Sequence, residues 1–257
     1  MVITDNPKIL ITGHKGFIGK YLWKALHKDF QLFGFDRGDS LPDEGVDMVY
    51  HLAANANAYE STARPDLALE NVQVMVEVLN WMAETDTRNI IYTSSREVYS
   101  LTNPYGASKA SGEMFLSAFS RFLGIGAISA RLSNIYGEGN HPNRFIETAI
   151  HKAKGGEDIV VYGGRNKVMN FVHIDDCIYR LVELMGEMVE GEHKALDIAS
   201  ELSQDLVSVS QLIINLIGSD SEVVEAPERG GETLAFVPKR SPHLIKTSLE
   251  DGIKRCL

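Results

Sequence analysis

The sequence predicts an α/β protein built on a doubly wound parallel sheet. Short apolar runs, typical of strands buried on both faces, alternate with longer segments whose apolar residues recur at helical spacing. A glycine-rich turn joins the first of these strands to the first helix. Parallel strands require a crossover connection, which is usually a helix, so this alternation favours helices packed on both faces of one sheet.

The first turn has the features of a dinucleotide-binding site. Gly13, Gly16 and Gly19 separate an apolar strand at residues 9–11 from the helix that follows. In such a turn the first glycine permits the bend, the second lets backbone N–H groups approach a pyrophosphate, and the third allows close helix packing. Asp36 ends the second apolar run, 23 residues after Gly13, where a carboxylate accepts a hydrogen bond from the adenosine ribose. This order predicts a Rossmann domain that prefers NAD to NADP.

The later elements follow from the same patterns. Strands are predicted at residues 32–35, from 48 onward, and at 89–93, 127–132, 159–162, 168–171 and 195–198. Helices are predicted at residues 65–84, 105–123, 145–154, 175–185 and 209–217, with another at the C-terminus. Ser208 with Gln211, and Thr247 with Glu250, have the spacing of capping boxes for the last two helices.

The connection between Asp36 and Met48 is short. A crossover with its own helix needs at least about 10–12 residues, and a further strand needs more. We therefore predict that the sheet lacks the strand that ordinarily lies beside the second one, or keeps only about two to three residues of it between residues 38 and 46.

Composition narrows the classes of partner. The chain has 257 residues, 44% of them hydrophobic, and a formal net charge of −10, which argues against nucleic acid or an anionic membrane. The two cysteines, Cys177 and Cys256, lack metal-ligand spacing and are expected to be reduced, so we expect a cytoplasmic protein without a metal. We find no signal peptide and no apolar run near the ~20 residues needed to span a bilayer.

Tyr105 and Lys109 are the candidate catalytic pair. They are four residues apart and share one face of a helix. A phenol has a pKa near ~10, and a neighbouring ammonium and a nicotinamide cation both favour the phenolate. Ser95 ends the preceding strand and is placed to orient the same substrate oxygen. His51 and His173 are expected to be structural.

Further motifs extend this pattern to the C-terminus. They are Thr12-Gly13-x-x-Gly16-x-x-Gly19, Asp36, His51-Leu-Ala-Ala54, Asn71, Ser94-Ser95-x-x-Val98-Tyr99, Pro104-Tyr105-x-x-x-Lys109, Arg131-x-x-Asn134-x-Tyr136-Gly137, Val172-His-Ile-Asp-Asp176, Arg229-Gly-Gly-Glu232 and Thr247-Ser-Leu-Glu-Asp-Gly252. In these motifs the chain resembles extended short-chain dehydrogenases/reductases of the NAD-dependent epimerase/dehydratase family, which act mainly on nucleotide sugars.

The resemblance implies roles for individual residues. Those expected to be catalytic are Ser95, Tyr105 and Lys109, with Glu97 as a further candidate. Those expected to bind NAD are Gly13, Lys15, Gly16, Phe17, Ile18, Gly19, Asp36, Arg37, Leu52, Ala53, Ala54, Asn71, Tyr105 and Lys109. Those expected to bind the substrate are Ser95, Arg96, Asn134 and Arg229.

The resemblance also implies the domain organisation. Residues 1–133 with about 169–190 are expected to form the NAD-binding domain, and 134–168 with 191–257 a smaller, mixed α/β substrate-binding lobe. A homodimer is expected through the helices at 65–84 and 105–123, with Met75, Met82, Met114 and Phe115 as candidate contacts. The chain resembles a shortened member of the family, and Met169 stands where the family usually has an arginine that contacts a substrate phosphate.

Arg96 and Glu97 bear on the reaction. In related 4,6-dehydratases this pair is typically Asp-Glu, and a guanidinium cannot replace the carboxylic acid that protonates the departing hydroxyl. The expected reaction is therefore 4-epimerisation. A 4,6-dehydratase or a decarboxylase using Glu97, a keto-sugar reductase and a non-catalytic NAD-binding protein stay open as alternatives. The two side chains could also simply pair with each other or with solvent.

Overall fold

The computed structural model describes residues 6–228 and 245–257. The chain forms two compact units: unit 1 comprises Met1–Leu132 and Ile178–Leu196, and unit 2 comprises Ser133–Cys177 and Asp197–Leu257. The chain returns to unit 1 at Ile178, and not near residue 169 as the sequence predicts. Strand Val168–His173 belongs to unit 2 because it pairs with two other strands of that unit.

The elements are numbered along the chain. The strands are β1 (Lys8–Thr12), β2 (Gln31–Phe35), β3 (Met48–His51), β4 (Asn89–Ser95), β5 (Gly126–Leu132), β6 (Asn134–Tyr136), β7 (Ile159–Tyr162), β8 (Val168–His173), β9 (His193–Ile198), β10 (Ser203–Asp205) and β11 (Val223–Ala226). The helices are α1 (Phe17–Leu26), α2 (Ala58–Ala63), α3 (Asp66–Glu84), α4 (Pro104–Leu123), α5 (Phe145–Lys154), α6 (Ile174–Glu183), α7 (Leu206–Ile217) and α8 (Leu249–Cys256). Within residues 6–228 and 245–257, no helix is long and apolar enough to span a membrane.

The central sheet has six strands in the order β2-β1-β3-β4-β5-β9. All the pairings from β2 to β5 are parallel, which confirms the predicted α/β architecture. No strand forms between Phe35 and Met48, a stretch that the structure describes in full, so the prediction of a missing edge strand is confirmed. This short connection packs on α3, where the indole N–H of Trp81 donates to the carbonyl oxygen of Pro42 at 2.7 Å.

One face of the central sheet packs against α3 and α4 in an apolar core. The central strands contribute Leu10, Val49, Ile90 and Ala127, while α3 and α4 contribute Met75, Val78, Leu79, Met82 and Leu116. Met75 and Met82, expected at a subunit contact, are instead buried in this core. The side of α3 that carries these two residues therefore faces the protein's own sheet.

Unit 2 is smaller and mixed, as predicted. Its larger sheet has the order β10-β8-β6, in which β10 is antiparallel and β6 parallel to β8. A second sheet pairs β11 with β7 in parallel. Helices α5 and α7 bury Ile146, Ile150, Val209 and Ile213 in a separate apolar cluster.

The two predicted capping boxes are each displaced. Helix α7 begins earlier than expected, with Asp205 as the N-cap and its Oδ1 accepting the N–H of Ser208 at 2.9 Å. Leu206 and Val209 are buried, so the first turn is drawn into the core of unit 2. Helix α8 is capped by Ser248 rather than Thr247, and the Ser248 hydroxyl accepts the N–H of Asp251 at 3.1 Å.

Candidate active site

The glycine turn after β1 excludes side chains where a pyrophosphate would lie. Gly13 has a φ of +72°, and a Cβ there would lie 2.8 Å from the backbone nitrogen of Ala53. A Cβ on Gly19 would overlap the carbonyl oxygen of Gly13. Gly16 is the N-cap of α1 and has no side chain to accept from the first-turn N–H groups, which begin at Phe17 and Ile18. These donors are therefore available to an anion at the positive end of the helix.

Asp36 lies directly after β2 and is held against this turn. Its carboxylate accepts the backbone N–H of Lys15 at 3.1 Å and that of Arg37 at 2.8 Å. The ammonium group of Lys15 pairs with Asp39 at 2.8 Å, and the guanidinium group of Arg37 pairs with Glu70 at 3.1 Å. The two nearby cations are thus already engaged by carboxylates.

The segment after β3, residues 52–54, is held beside the glycine turn. The Thr12 hydroxyl oxygen accepts the N–H groups of Leu52 and Ala53 at 3.2 and 3.1 Å. The carbonyl oxygen of the Asn71 side chain accepts the N–H of Asn55 at 2.7 Å, and its amide donates to the Asn55 carbonyl at 3.3 Å. Asn71 therefore acts on the backbone of this segment, and its expected contact with the cofactor stays a prediction.

Helix α4 brings Tyr105 and Lys109 together, as their spacing predicts. The Lys109 ammonium is buried, donates to the Thr93 carbonyl at 2.8 Å, and lies 5.9 Å from the centre of the Tyr105 ring. It also lies 4.7 Å from the centre of the Tyr92 ring. Burial lowers the pKa of Lys109 to about 7. The cation beside the candidate catalytic phenol therefore loses its proton much more readily than an exposed lysine.

Ser95, Arg96 and Glu97 form one connected turn at the end of β4. The Ser95 hydroxyl accepts the N–H of Glu97 at 3.2 Å. One oxygen of Glu97 pairs with Arg96 at 3.2 Å, and the other accepts from the Asn103 amide at 3.0 Å. Only 10% of each of the Arg96 and Glu97 side chains is exposed. The pairing of these two residues, one of the readings that the sequence left open, is present in the structure.

A partly buried ion pair between Arg131 and Glu113 was not predicted from the sequence. Arg131 donates to both oxygens of Glu113, at 2.9 and 2.6 Å, and Ser94 donates to the same carboxylate at 2.6 Å. Arg131 also contacts the Tyr99 hydroxyl at 2.9 Å. Glu113 is four residues beyond Lys109, so its position on the catalytic face of α4 is a signal that could have revealed it.

His51 is structural, as expected. Its ring is buried, with Nδ1 2.9 Å from the Thr12 hydroxyl oxygen, and it stacks on Tyr92. Burial is the main cause that lowers the pKa of His51 to about 3, so the ring is neutral. In residues 6–228 and 245–257 no group of three or more His, Cys, Asp or Glu side chains is arranged to hold a metal ion.

Of the two substrate residues predicted in unit 2, Asn134 lies within the described residues. The Asn134 amide donates to the Asn170 carbonyl oxygen at 2.8 Å, which joins β6 to β8. The Asn170 side chain is buried and bonds both the N–H and the carbonyl oxygen of Ser200, each at 2.9 Å. Asn170 therefore fixes the segment after β9. Arg229 lies outside the described residues.

The model of the NAD dependent epimerase/dehydratase family matches residues 9–199. The chain belongs to this family. The membership confirms the resemblance seen in the motifs and NAD as the cofactor. The glycine turn, with no room for a Cβ at two positions, and the Asp36 carboxylate fit a dinucleotide.

Individual relatives carry different activities in their names. The uncharacterized UDP-glucose epimerase YtcB of Bacillus subtilis (strain 168) is 24% identical, over 96% of this chain and 95% of that protein. UDP-glucuronic acid decarboxylase 1 of Xenopus tropicalis is 25% identical, over 95% of this chain and 68% of that protein. The UDP-glucose 4-epimerase of Thermotoga maritima, solved with UDP-glucose, has a TM-score of 0.86 at 21% identity and covers 97% of both chains. The chain is thus an enzyme of a family that includes nucleotide-sugar epimerases, dehydratases and decarboxylases.

Proposed function

We propose that the protein is an NAD-dependent nucleotide-sugar 4-epimerase. The observation that carries this proposal is the state of the turn after Ser95. Arg96 and Glu97 are paired with each other beside an otherwise complete Ser95, Tyr105 and Lys109 set. A 4-epimerase needs Ser95, Tyr105 and Lys109. It needs neither Arg96 nor Glu97.

The chain's own residues suit reversible oxidation of a sugar hydroxyl. The bound cofactor supplies a hydride acceptor that can return the hydride. Tyr105 would take the hydroxyl proton as the carbon is oxidised and give it back afterwards. The Lys109 ammonium would favour the phenolate, and the Ser95 hydroxyl would orient the same oxygen. Epimerisation then requires only that the oxidised sugar presents its other face before the hydride returns.

Dehydration and decarboxylation make further demands on this turn. Dehydration needs an acid to protonate the departing hydroxyl, and the Arg96 guanidinium stays protonated throughout the working pH range. Glu97 has both carboxylate oxygens engaged, one by Arg96 and one by Asn103. To remove a proton from a sugar, it would first have to give up one of these partners. This arrangement supports epimerisation over both alternatives.

The test is to incubate the protein with UDP-hexoses, other nucleotide hexoses and UDP-uronic acids and to follow the products by NMR. We expect interconversion of C4 epimers and no net consumption of NAD. A 4-keto-6-deoxy sugar that accumulates, or carbon dioxide released from a uronic acid, would reject the epimerase in favour of a dehydratase or a decarboxylase. Net oxidation of NADH would identify a keto-sugar reductase. NAD binding without turnover of any of these sugars would favour the non-catalytic alternative.

Preference for NAD over NADP is the next expectation. The Asp36 carboxylate can accept from a ribose hydroxyl and would repel a 2′-phosphate, and Lys15 and Arg37 are engaged by Asp39 and Glu70. A hydrogen bond to a charged group contributes about 1.5–3 kcal/mol, which corresponds to about tenfold or more in affinity. Calorimetric titration should show NAD binding at least about tenfold more tightly.

A matched pair of variants isolates this carboxylate. Asp36→Asn should weaken NAD binding and narrow the ratio between the cofactors. Asp43→Asn, in the same exposed connection, should leave the ratio unchanged. Equal or tighter binding of NADP by the wild-type protein would overturn the assignment.

We further propose that unit 1 binds NAD and that unit 2 binds the nucleotide of the substrate through Asn134 and Arg229. A cytoplasmic homodimer, with no nucleic acid or membrane partner, remains our expectation. Leu69 on α3 and Met114 and Phe122 on α4 support a dimer, since 64%, 73% and 84% of these apolar residues are exposed.

A further inference from the structure

We propose that Asn103 is a positioning residue that fixes Tyr105 relative to Ser95, acting through Glu97. This inference rests on the proposed function, because it concerns the placement of the same catalytic groups. It assigns Glu97 to the support of the site and not to proton transfer with the substrate.

The two polar atoms of the Asn103 side chain bond to different elements. Its Oδ1 accepts the N–H of Gly106, the residue after Tyr105, at 2.9 Å. This bond caps the N-terminus of α4. Its Nδ2 donates to Oε2 of Glu97 at 3.0 Å. Asn103 and Glu97 are both buried, so neither bond is replaced readily by water. One side chain thus joins the first turn of the catalytic helix to the turn after β4.

The same link continues to the catalytic serine. The Ser95 hydroxyl oxygen accepts the backbone N–H of Glu97 at 3.2 Å. The Glu97 carboxylate also pairs with Arg96 at 3.2 Å, and a hydrogen bond to a carboxylate is stronger than one between neutral groups. A continuous chain of bonds therefore runs from Ser95 through Glu97 and Asn103 to the helix that carries Tyr105.

Backbone packing leaves little freedom at this junction. A Cβ on Gly106 would lie 2.7 Å from the carbonyl oxygen of Glu97, so the first turn of α4 rests directly on the turn after β4. The Ser95 and Tyr105 hydroxyls are expected to meet the same substrate oxygen. A displacement of about 1 Å at such a site can cost about 10²-fold in rate. Loosening this junction should therefore affect turnover more than substrate binding.

Capping alone does not require asparagine at this position. Serine, threonine and aspartate cap helices about as well, but they offer no amide that donates to Glu97. Asn57 provides a comparison within the chain. It caps α2 through the N–H of Glu60 at 3.1 Å, and its amide donates to the Glu60 carboxylate at 3.3 Å, all within one exposed helix turn. Asn57 has the same chemistry without the link to Ser95.

The first experiment compares Asn103→Ser with Asn57→Ser, since serine keeps each cap and removes each amide. We expect Asn103→Ser to lower kcat by about ten- to a hundredfold, with KM changed less than about twofold and the shape of the pH profile unchanged. Asn57→Ser should leave kcat unchanged. An unchanged kcat in Asn103→Ser, or an equal loss in both variants, would overturn the proposal.

The second experiment adds Glu97→Gln, alone and combined with Asn103→Ser. If Glu97 acts through its hydrogen bond with Asn103, which we call the bridge, the kcat of the double variant should be no lower than that of Asn103→Ser. A loss of about 10²–10⁴-fold in Glu97→Gln with a missing limb of the pH profile would make Glu97 an acid–base group and overturn the inference.

The third readout is independent of activity. Urea unfolding midpoints of the wild-type protein, the two single variants and the double variant should be non-additive, because both substitutions act on the same bond. Asn103→Ser removes its donor, and Glu97→Gln replaces its ionised acceptor by a neutral one. Additive midpoints would show that the bridge is absent. If the wild-type protein turns over no nucleotide sugar, the proposed function fails, while the unfolding cycle still decides whether the bridge exists.

Discussion

Tyr105→Phe is expected to lower turnover by about 10²–10⁴-fold, the usual effect of removing a positioned acid–base group. The substitution removes only a hydroxyl, and the backbone N–H of Tyr105 keeps its bond to the Ser61 hydroxyl at 3.2 Å. The ring also stays beside Lys109. NAD affinity and the urea midpoint should therefore remain close to those of the wild-type protein.

The measurement is kcat and KM with the nucleotide sugar that the wild-type protein converts, together with calorimetric NAD binding. Tyr179→Phe is the matched control, because Tyr179 is half exposed on α6. A Tyr105→Phe protein that keeps more than half of its activity would show that the assignment of Tyr105 is wrong. Loss of NAD binding together with a lower urea midpoint would point to a structural defect.

The fold was accessible from the sequence because its main signals are local. Buried parallel strands read as apolar runs, and Phe145–Lys154 and Ile159–Tyr162 lie where periodicity places them. The missing edge strand followed from chain length alone, since the connection before Met48 cannot hold another crossover. Helix α2 was missed because its six residues carry no apolar stripe long enough to detect.

The candidate site was only partly accessible for the opposite reason. The positions of Tyr105 and Lys109 follow from helix spacing, whereas the depth at which Lys109 is buried depends on Tyr92 and Thr93 of a strand. The Glu113–Arg131 pair joins residues 18 positions apart. Helix spacing places Glu113 on the same face of α4 as Lys109, but no local pattern identifies Arg131 as its partner. The ion pairs of Lys15 with Asp39 and of Arg37 with Glu70 likewise depend on tertiary contacts.

Lys109→Met is expected to abolish turnover and yet to stabilise the protein without its ligands. Burial lowers the pKa of Lys109 from 10.5 to about 7. A lysine that loses its proton more readily in the folded state destabilises that state whenever the unfolded chain holds the proton. A shift of one pKa unit corresponds to about 1.4 kcal/mol, so the lowered pKa of Lys109 reduces the free energy of unfolding by several kcal/mol when both states are protonated. The Thr93 carbonyl would lose its donor, which offsets about 1–3 kcal/mol.

The pH dependence gives the sign that identifies this cause. Below pH 7 both states carry the Lys109 charge, so the destabilisation of the wild-type protein is complete there. Between pH 7 and 10.5 the folded protein has released the proton while the unfolded chain still holds it, so wild-type stability rises with pH.

Urea unfolding should therefore show Lys109→Met more stable than the wild-type protein by about 2 kcal/mol at pH 6, with the difference shrinking toward pH 10. Lys24→Met, on the exposed surface of α1, should change little at either pH. A Lys109→Met protein less stable at pH 6, or a gain that does not depend on pH, would mean that the buried ammonium is not a source of instability. The expected result would instead show that the charge beside Tyr105 is kept at the expense of stability, because a hydrophobic side chain of similar length would fit the same site better and could not support the phenolate.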